Sequence, residues 1–262
     1  MLYRTEAHRM TISLAALRQP TTTPQRPLMR APQPRAIIPM TRNFEVAALR
    51  ADGRMHIAQH KAPTLPLFDD AFFAFARGSL MSTPNGHVAV EDLQPGDSLS
   101  TSTGEPAKIL WIGSSTFVPA DPERRMPLIR IMADTFGPSR PSSFLTVGPS
   151  ARLLQTPHHM RGEANGKRLF TLASEFVDGV NIIEICPPTA VRMFHLCLER
   201  HAAINVGGME METYHPGSVA IRSDSHAMRD LFLSMFPHIV HASDFGPLAH
   251  SRAPEASVSN IN

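Results

Sequence analysis

Apolar and polar residues alternate in short runs along most of the chain, and each run is closed by a turn signal. The first is Phe44-Glu-Val-Ala-Ala-Leu49, followed by Asp52-Gly53 and then Met55-His-Ile-Ala58. Alternation on both sides of Asp-Gly predicts a β-hairpin, because a tight turn between strands needs the positive φ that glycine adopts without steric cost. The pattern returns with Ser79–Thr83 and His87–Val90 around Pro84-Asn85-Gly86. Further runs over residues 107–112, 128–132, 144–147, 152–155, 168–172, 180–186, 191–198, 202–206 and 209–213 each predict a strand. Helical spacing is convincing only at Ser225–Phe236, where Met228, Leu231, Phe232 and Met235 share a face before Pro237. The pattern predicts an all-β fold with one short C-terminal helix.

A faint internal repeat qualifies that picture. Glu91-Asp-Leu-Gln-Pro-Gly96-Asp-Ser-Leu99 aligns with Ser174-Glu-Phe-Val-Asp-Gly179-Val-Asn-Ile182, and each glycine suits a tight turn between a short helical turn and a strand. Two β subdomains related by duplication are expected, meeting near Gly96 and Gly179.

Charge divides the chain. Residues 1–40 hold six arginines against the single acid Glu6, while the whole chain has a net charge of only +2. The pI of 8.8 therefore belongs to this segment. Six prolines among those residues predict a disordered basic tail, and arginines spaced by prolines without aromatics make a poor docking surface for nucleic acid or an anionic membrane. The apolar stretch Met10–Leu17 contains Thr11 and Ser13 and ends at Arg18-Gln-Pro, which is not a secretion signal; Met40 is an alternative start. With no apolar run of membrane-spanning length, a cytoplasmic protein is expected. Expected segments are the tail 1–40, a leader hairpin 41–66, a β domain 67–217, and a C-terminal helix and tail 218–262. Cys186 and Cys197, eleven residues apart, form neither a disulfide framework nor a thiolate metal site.

The string Phe75-Ala-Arg-Gly78-Ser-Leu-Met-Ser-Thr83-Pro-Asn-Gly86, then Val90-Glu-Asp-Leu93-Gln-Pro-Gly96-Asp97 and Leu110-Trp111-Ile-Gly113, resembles the opening of the hedgehog/intein (Hint) family in its bacterial stand-alone form. Later stretches are similar to its second block (Leu145-Thr-Val-Gly-Pro149-Ser-Ala-Arg152) and closing block (Phe194-His-Leu-Cys-Leu-Glu-Arg-His201). The resemblance spans about residues 70–250. It implies a horseshoe-like all-β fold of two pseudo-symmetric β subdomains, and self-cleavage or splicing as the family chemistry. In that chemistry the first residue of the domain, Cys or Ser, attacks the preceding carbonyl, and a second-block histidine assists departure of the amine. Splicing members close with His-Asn, whose asparagine cyclises.

This sequence departs from that pattern at each place. Ala74 stands where the resemblance puts the nucleophile, and a methyl group cannot attack a carbonyl. The family's Ser-Pro-x-His-Arg falls on Gly148-Pro-Ser-Ala151-Arg152, so Ala151 takes the histidine position. His201 fits the closing-block histidine, but Glu212-Thr213 replace His-Asn. The expected function is a degenerate Hint-fold binding or scaffold module, the alternative being residual autoproteolysis or hydrolysis by a relocated nucleophile.

Weaker candidates have plain structural readings beside them. Ser79 is a displaced nucleophile only if a base touches it; in a predicted strand it matches the family's structural Ser/Thr. Cys197 sits in an alternating apolar segment as a small hydrophobe. His195, His201 and His215 fall on two neighbouring predicted strands and the following turn, at spacings that match no compact zinc pattern, so hydrogen-bonded histidines are expected rather than a metal site. Asp97 and Glu91 read as turn caps, the pair His158-His159 as solvated, and Trp111 as a core anchor whose indole N–H needs one acceptor. No cofactor or metal is expected. The physiological partner and the oligomeric state are not legible.

Overall fold

The computed structural model describes residues 40–118, 127–162, 164–217 and 225–254. The expectation of a disordered tail falls outside the described residues apart from Met40. Strands dominate, in two antiparallel sheets. In chain order they are β1 (Thr41–Leu49), β2 (Met55–Pro63), β3 (Phe75–Ala76), β4 (Leu80–Thr83), β5 (Gly86–Ala89), β6 (Ser98–Leu99), β7 (Ala107–Phe117) and β8 (Leu128–Ile131). They continue as β9 (Leu145–Val147), β10 (Arg152–Leu154), β11 (Phe170–Leu172), β12 (Ile182–Ile185), β13 (Val191–Leu198), β14 (Ala203–Val206) and β15 (Met209–Glu212). A four-residue helix α1 (Pro66–Asp69) precedes β3, and α2 (His226–Ser234) follows β15.

The larger sheet runs β12-β8-β9-β3-β13-β7-β1-β2 with β6 beside β7; the smaller runs β11-β10-β15-β14-β4-β5. Alternation explains the first hairpin: Phe44, Val46 and Ala48 turn inward, and Gly53 takes φ 78° at the turn. Strand β7 runs five residues beyond the segment 107–112 that alternation marks. Its extension, Gly113-Ser-Ser-Thr-Phe117, reads like a loop, yet it is a central strand between β1 and β13. Small polar residues are tolerated there because they are paired: Ser115 Oγ donates to the Asn43 carbonyl at 2.7 Å, and the Arg192 guanidinium donates to Ser114 Oγ at 2.9 Å.

The repeat in the sequence has a counterpart in the chain path. Residues Val90–Asp92 and Ala173–Phe176 are both single 3-10 turns, each followed by a left-handed glycine and then β6 or β12. Gly96 has φ 106° and Gly179 φ 76°. Hairpin β4·β5 corresponds to β10·β11, and the long strands β7 and β13 pair with each other, as the short strands β3 and β9 do. Asp97 and Asp178 cap equivalent turns, accepting from the Gln94 amide and from the Val180, Asn181 and Ile182 amides. Glu91 also acts locally, accepting from the Gly78 amide at 2.8 Å.

Two apolar clusters carry the fold. One draws on both sheets and includes Phe75, Met81, Ile129, Leu153 and Ile204. The other is built mostly from chain outside the strands of the two halves: Phe44, Phe68 and Phe72 on the N-terminal side, and Phe232, Met235 and Phe236 on the C-terminal side, close on Trp111. The Trp111 indole donates to the Met235 carbonyl at 2.7 Å, which supplies the acceptor its sequence position demands. Ser225 caps α2 by accepting from the Met228 amide. No helix among the described residues is long and apolar enough to cross a membrane.

His238 lies against the rings of Phe236 and Phe245, and its Nδ1 is buried without a hydrogen-bond partner. Burial holds this imidazole down to about 4, below its ordinary 6.5. The unfolded chain therefore takes up a proton first as pH falls, so stability from this group is complete above 6.5 and is lost towards 4. Unfolding free energy from urea titrations should drop by roughly 2 kcal/mol from this group between about pH 7 and pH 5, and His238→Leu should remove that drop. An unchanged acid limb in the variant would show that other groups set it.

Candidate functional site

The peptide between Phe73 and Ala74 is where the resemblance puts the family's first step, and residues 148–150 pack directly on it. The Ser150 amide donates to the Phe73 carbonyl at 3.2 Å, and the Gly148 amide donates to the Ala74 carbonyl at 2.8 Å. Ala74 is wholly buried and Ala151 is 1% exposed, both in the cluster shared by the two sheets. A Cβ placed on Gly148 would lie 2.1 Å from the Phe73 carbonyl oxygen and 2.7 Å from its carbon. The Phe73 carbonyl thus occupies the space of a side chain at 148, the position that aligns with serine in the family pattern. Ser150 Oγ is buried beside this peptide with no hydrogen-bond partner.

The chain before this peptide is not loose. Strand β1 pairs with β7 from Phe44↔Ser115 to Ala48↔Trp111. Arg42, ion-paired with the buried Asp69, lies over the Phe73 ring at 4.6 Å. Burial raises the Asp69 carboxyl above its usual range, while Arg42 opposes that shift.

A second polar group lies in the closing region. Glu212, 4% exposed, accepts from Arg252 Nε at 2.9 and 3.2 Å, and Arg152 Nε is 3.8 Å away. His201 Nδ1 accepts from the Ala249 amide at 2.9 Å, so its Nε2 carries the hydrogen; that atom is 3.1 Å from Glu212 Oε1 but outside hydrogen-bond alignment. The His201 and His215 rings are 5.2 Å apart. His215 Nε2 donates to the Gly246 carbonyl and Nδ1 accepts from the Gly217 amide, and burial holds its pKa down. Thr213 is consumed by backbone pairing, exchanging hydrogen bonds with Ala202.

The remaining candidates are placed individually. His195 lies in β13 between the rings of Phe75 and Tyr214, and burial, reinforced by the charges of Arg252 and Arg152, pushes its pKa well down. His201 lies in the loop after β13 rather than on a strand, and His215 follows β15 off the strands, as its place in the turn requires. Ser79 precedes β4 instead of lying in it; its hydroxyl donates to the Ala76 carbonyl at 2.7 Å inside a tight turn. Cys197 is 3% exposed beside the Tyr214 carbonyl, and burial raises its thiol well above the ordinary value, which keeps it protonated and unreactive. Cys186 is exposed, as are His158 and His159. No group of three potential metal ligands occurs among the described residues. Arg252 had no motif to mark it; Ser150 and Arg152 stood within the second-block string without an assigned role.

A family model described as Hint domain matches residues 73–218, more than half of the chain. The chain belongs to the Hint-domain family. Solved structures similar to this Hint protein include a bacterial intein-like domain from Clostridium thermocellum, at 13% identity over 54% of this chain and 99% of that one, with a TM-score of 0.36. They also include the MchDnaB-1 intein, at 12% identity over 54% and 100% with TM-score 0.36, and the Msm DnaB1 intein splicing domain bound with zinc, at 14% over 54% and 100% with TM-score 0.34. Comparison with curated proteins gave no match.

Proposed function

We propose that this Hint protein no longer processes itself and serves as a binding or scaffold module, with a Hint-like domain at 67–217, a leader hairpin at 41–66 and a C-terminal helix and tail at 218–262. The carrying observation is the wholly buried Ala74, whose methyl stands where the resemblance puts the nucleophile, preceded by a hairpin bonded into the larger sheet. An acyl shift needs a nucleophile at 74 and a proton donor for the leaving amine. The methyls of Ala74 and Ala151 supply neither. One element of such a site persists, the Ser150 amide on the Phe73 carbonyl, where developing negative charge would fall. At the closing end, Glu212 is tied to arginines and Thr213 has no side-chain amide to cyclise.

The second reading, residual self-cleavage or hydrolysis, needs Ser79 or Cys197 as nucleophile. Ser79 is engaged in its turn, and the Cys197 thiol is buried beside Trp111 and Tyr214. Incubation of the purified full chain with thiol or hydroxylamine, read by intact mass, separates the two. The proposal expects one species at 28.8 kDa; a fragment lost by either Ser79→Ala or Cys197→Ala would support the second reading.

A further inference from the structure

The C-terminal stretch returns to the domain as an added strand. The Phe170 amide donates to the Ser251 carbonyl at 2.9 Å, and the Ala253 amide donates to the Phe170 carbonyl at 2.9 Å. These two bonds set Arg252 parallel to Phe170 on the outer edge of the smaller sheet, whose last strand is β11. Between the bonds, the Arg252 side chain enters the fold. Its Nε meets both Glu212 oxygens, and its Nη2 donates to the His215 carbonyl at 2.6 Å. A Cβ on Gly217 would lie 2.7 Å from the guanidinium, so glycine leaves the room that Arg252 fills.

We propose that the β11 edge and Glu212 form a recognition site for an extended peptide with an arginine between small residues, and that this chain's own Ser251–Ala253 is its resident occupant. Main-chain bonds to a free sheet edge supply affinity independent of sequence, and the side chain that enters a pocket supplies selectivity. Here the pocket offers a buried carboxylate and a carbonyl, a donor-matching set that suits the forked guanidinium.

Two features make the occupant exchangeable. First, the strand addition spans one residue pair, and residues 246–249 leading into it are exposed. Opposite the segment 248–251, Lys167, Arg168 and Leu169 line an open groove of about 500 Å³. Apart from these contacts the segment is tied by the Ala249 amide on His201 Nδ1 and by His215 Nε2 on the Gly246 carbonyl, and a segment held by a handful of hydrogen bonds at the domain surface opens at lower free-energy cost than a core strand. Second, Glu212 is not left bare when Arg252 leaves, since Arg152 stays within ion-pair distance and the His201 Nε2–H stays 3.1 Å away. A buried carboxylate stripped of every cation would resist opening.

The inference rests on the reading of the domain as a binding module, but its readout differs: failure of that reading appears as a cleaved mass, failure of this one as absent peptide binding. A fluorescent peptide with the sequence of residues 247–254 is titrated by anisotropy against the full wild-type chain and the full-length variants Arg252→Ala and Ala253→Pro. Both variants should bind it about tenfold or more tightly than wild type, whose tethered tail competes at high local concentration. Exchanging the peptide's arginine for alanine, or adding Glu212→Gln to the Arg252→Ala chain, should weaken binding by about tenfold or more. Equal binding by wild type and both variants overturns the proposal, as does indifference to the peptide's arginine. Loss of amide protection in β7 and β13 in both variants also overturns it, because the tail would then be a fixed part of the fold.

Discussion

Ala74→Cys alone is expected to cleave the chain only slowly in external thiol, whereas Ala74→Cys with Ala151→His is expected to cleave it faster, in both cases between Phe73 and residue 74. A thiol at 74 lies against a carbonyl already polarised by the Ser150 amide, but an amine leaves poorly without a proton. General-acid assistance contributes about 10²–10⁴-fold. The structure reduces the expected gain. Ala151 is packed among apolar side chains, so an imidazole must displace its neighbours, and a misplacement of about 1 Å costs about 10²-fold. The double variant should therefore cleave roughly tenfold, and at most about a hundredfold, faster than the single one. It should also lose about 1–3 kcal/mol of stability to overpacking. Splicing should not follow, since Glu212-Thr213 offer no asparagine. Equal rates in the two variants, read by mass spectrometry over time, would place the histidine position elsewhere than Ala151.

Gly113→Ala is expected to be among the most destabilising single changes in the protein. A Cβ there would lie 2.1 Å from Trp111 Cη2, 2.6 Å from Trp111 Cζ2 and 2.7 Å from Phe72 Cδ1. The backbone cannot retreat, because Gly113 pairs with Val46 in β1 on one side and with His195 in β13 on the other. Trp111 cannot turn away without losing its bond to Met235 and its stacking on Phe236 at 4.6 Å. Overpacking in a rigid core costs about 1–3 kcal/mol and sometimes more; with strand and ring both fixed, about 3 kcal/mol or above is expected, similar to the ~3–5 kcal/mol for Trp111→Ala. Because this aromatic cluster joins leader hairpin, central strands and α2, both variants should unfold in one denaturant transition at lower concentration. A separate early transition for the hairpin or helix would show that these segments are appended rather than integrated.

Most strands were legible because alternation is a direct consequence of one buried sheet face, and nearly every turn carried glycine or proline. The limits follow from chemistry as well. Gly113-Ser-Ser-Thr116 lacks apolar alternation, so the second half of β7 was invisible until its partners on both sides were known. The Trp111-Ile-Gly113 string was recognisable as a motif, but its reason, room for an indole edge, depends on tertiary contact. The positions Ala74 and Ala151 came from the resemblance, and only packing shows that a backbone carbonyl fills the space beside Gly148. Arg252 was unreadable: a lone arginine in a polar tail has no local signal, and its role arises from a long-range bond to Glu212.

The central claim is that the Phe73–Ala74 peptide survives, and intact-mass spectrometry of the purified full chain after prolonged incubation with thiol or hydroxylamine tests it most directly. Those nucleophiles capture any ester or thioester that forms, so even a slow acyl shift accumulates product. The account predicts a single species at 28.8 kDa under both reagents. A nucleophile-dependent fragment ending at Phe73, with its partner beginning at Ala74, would contradict it.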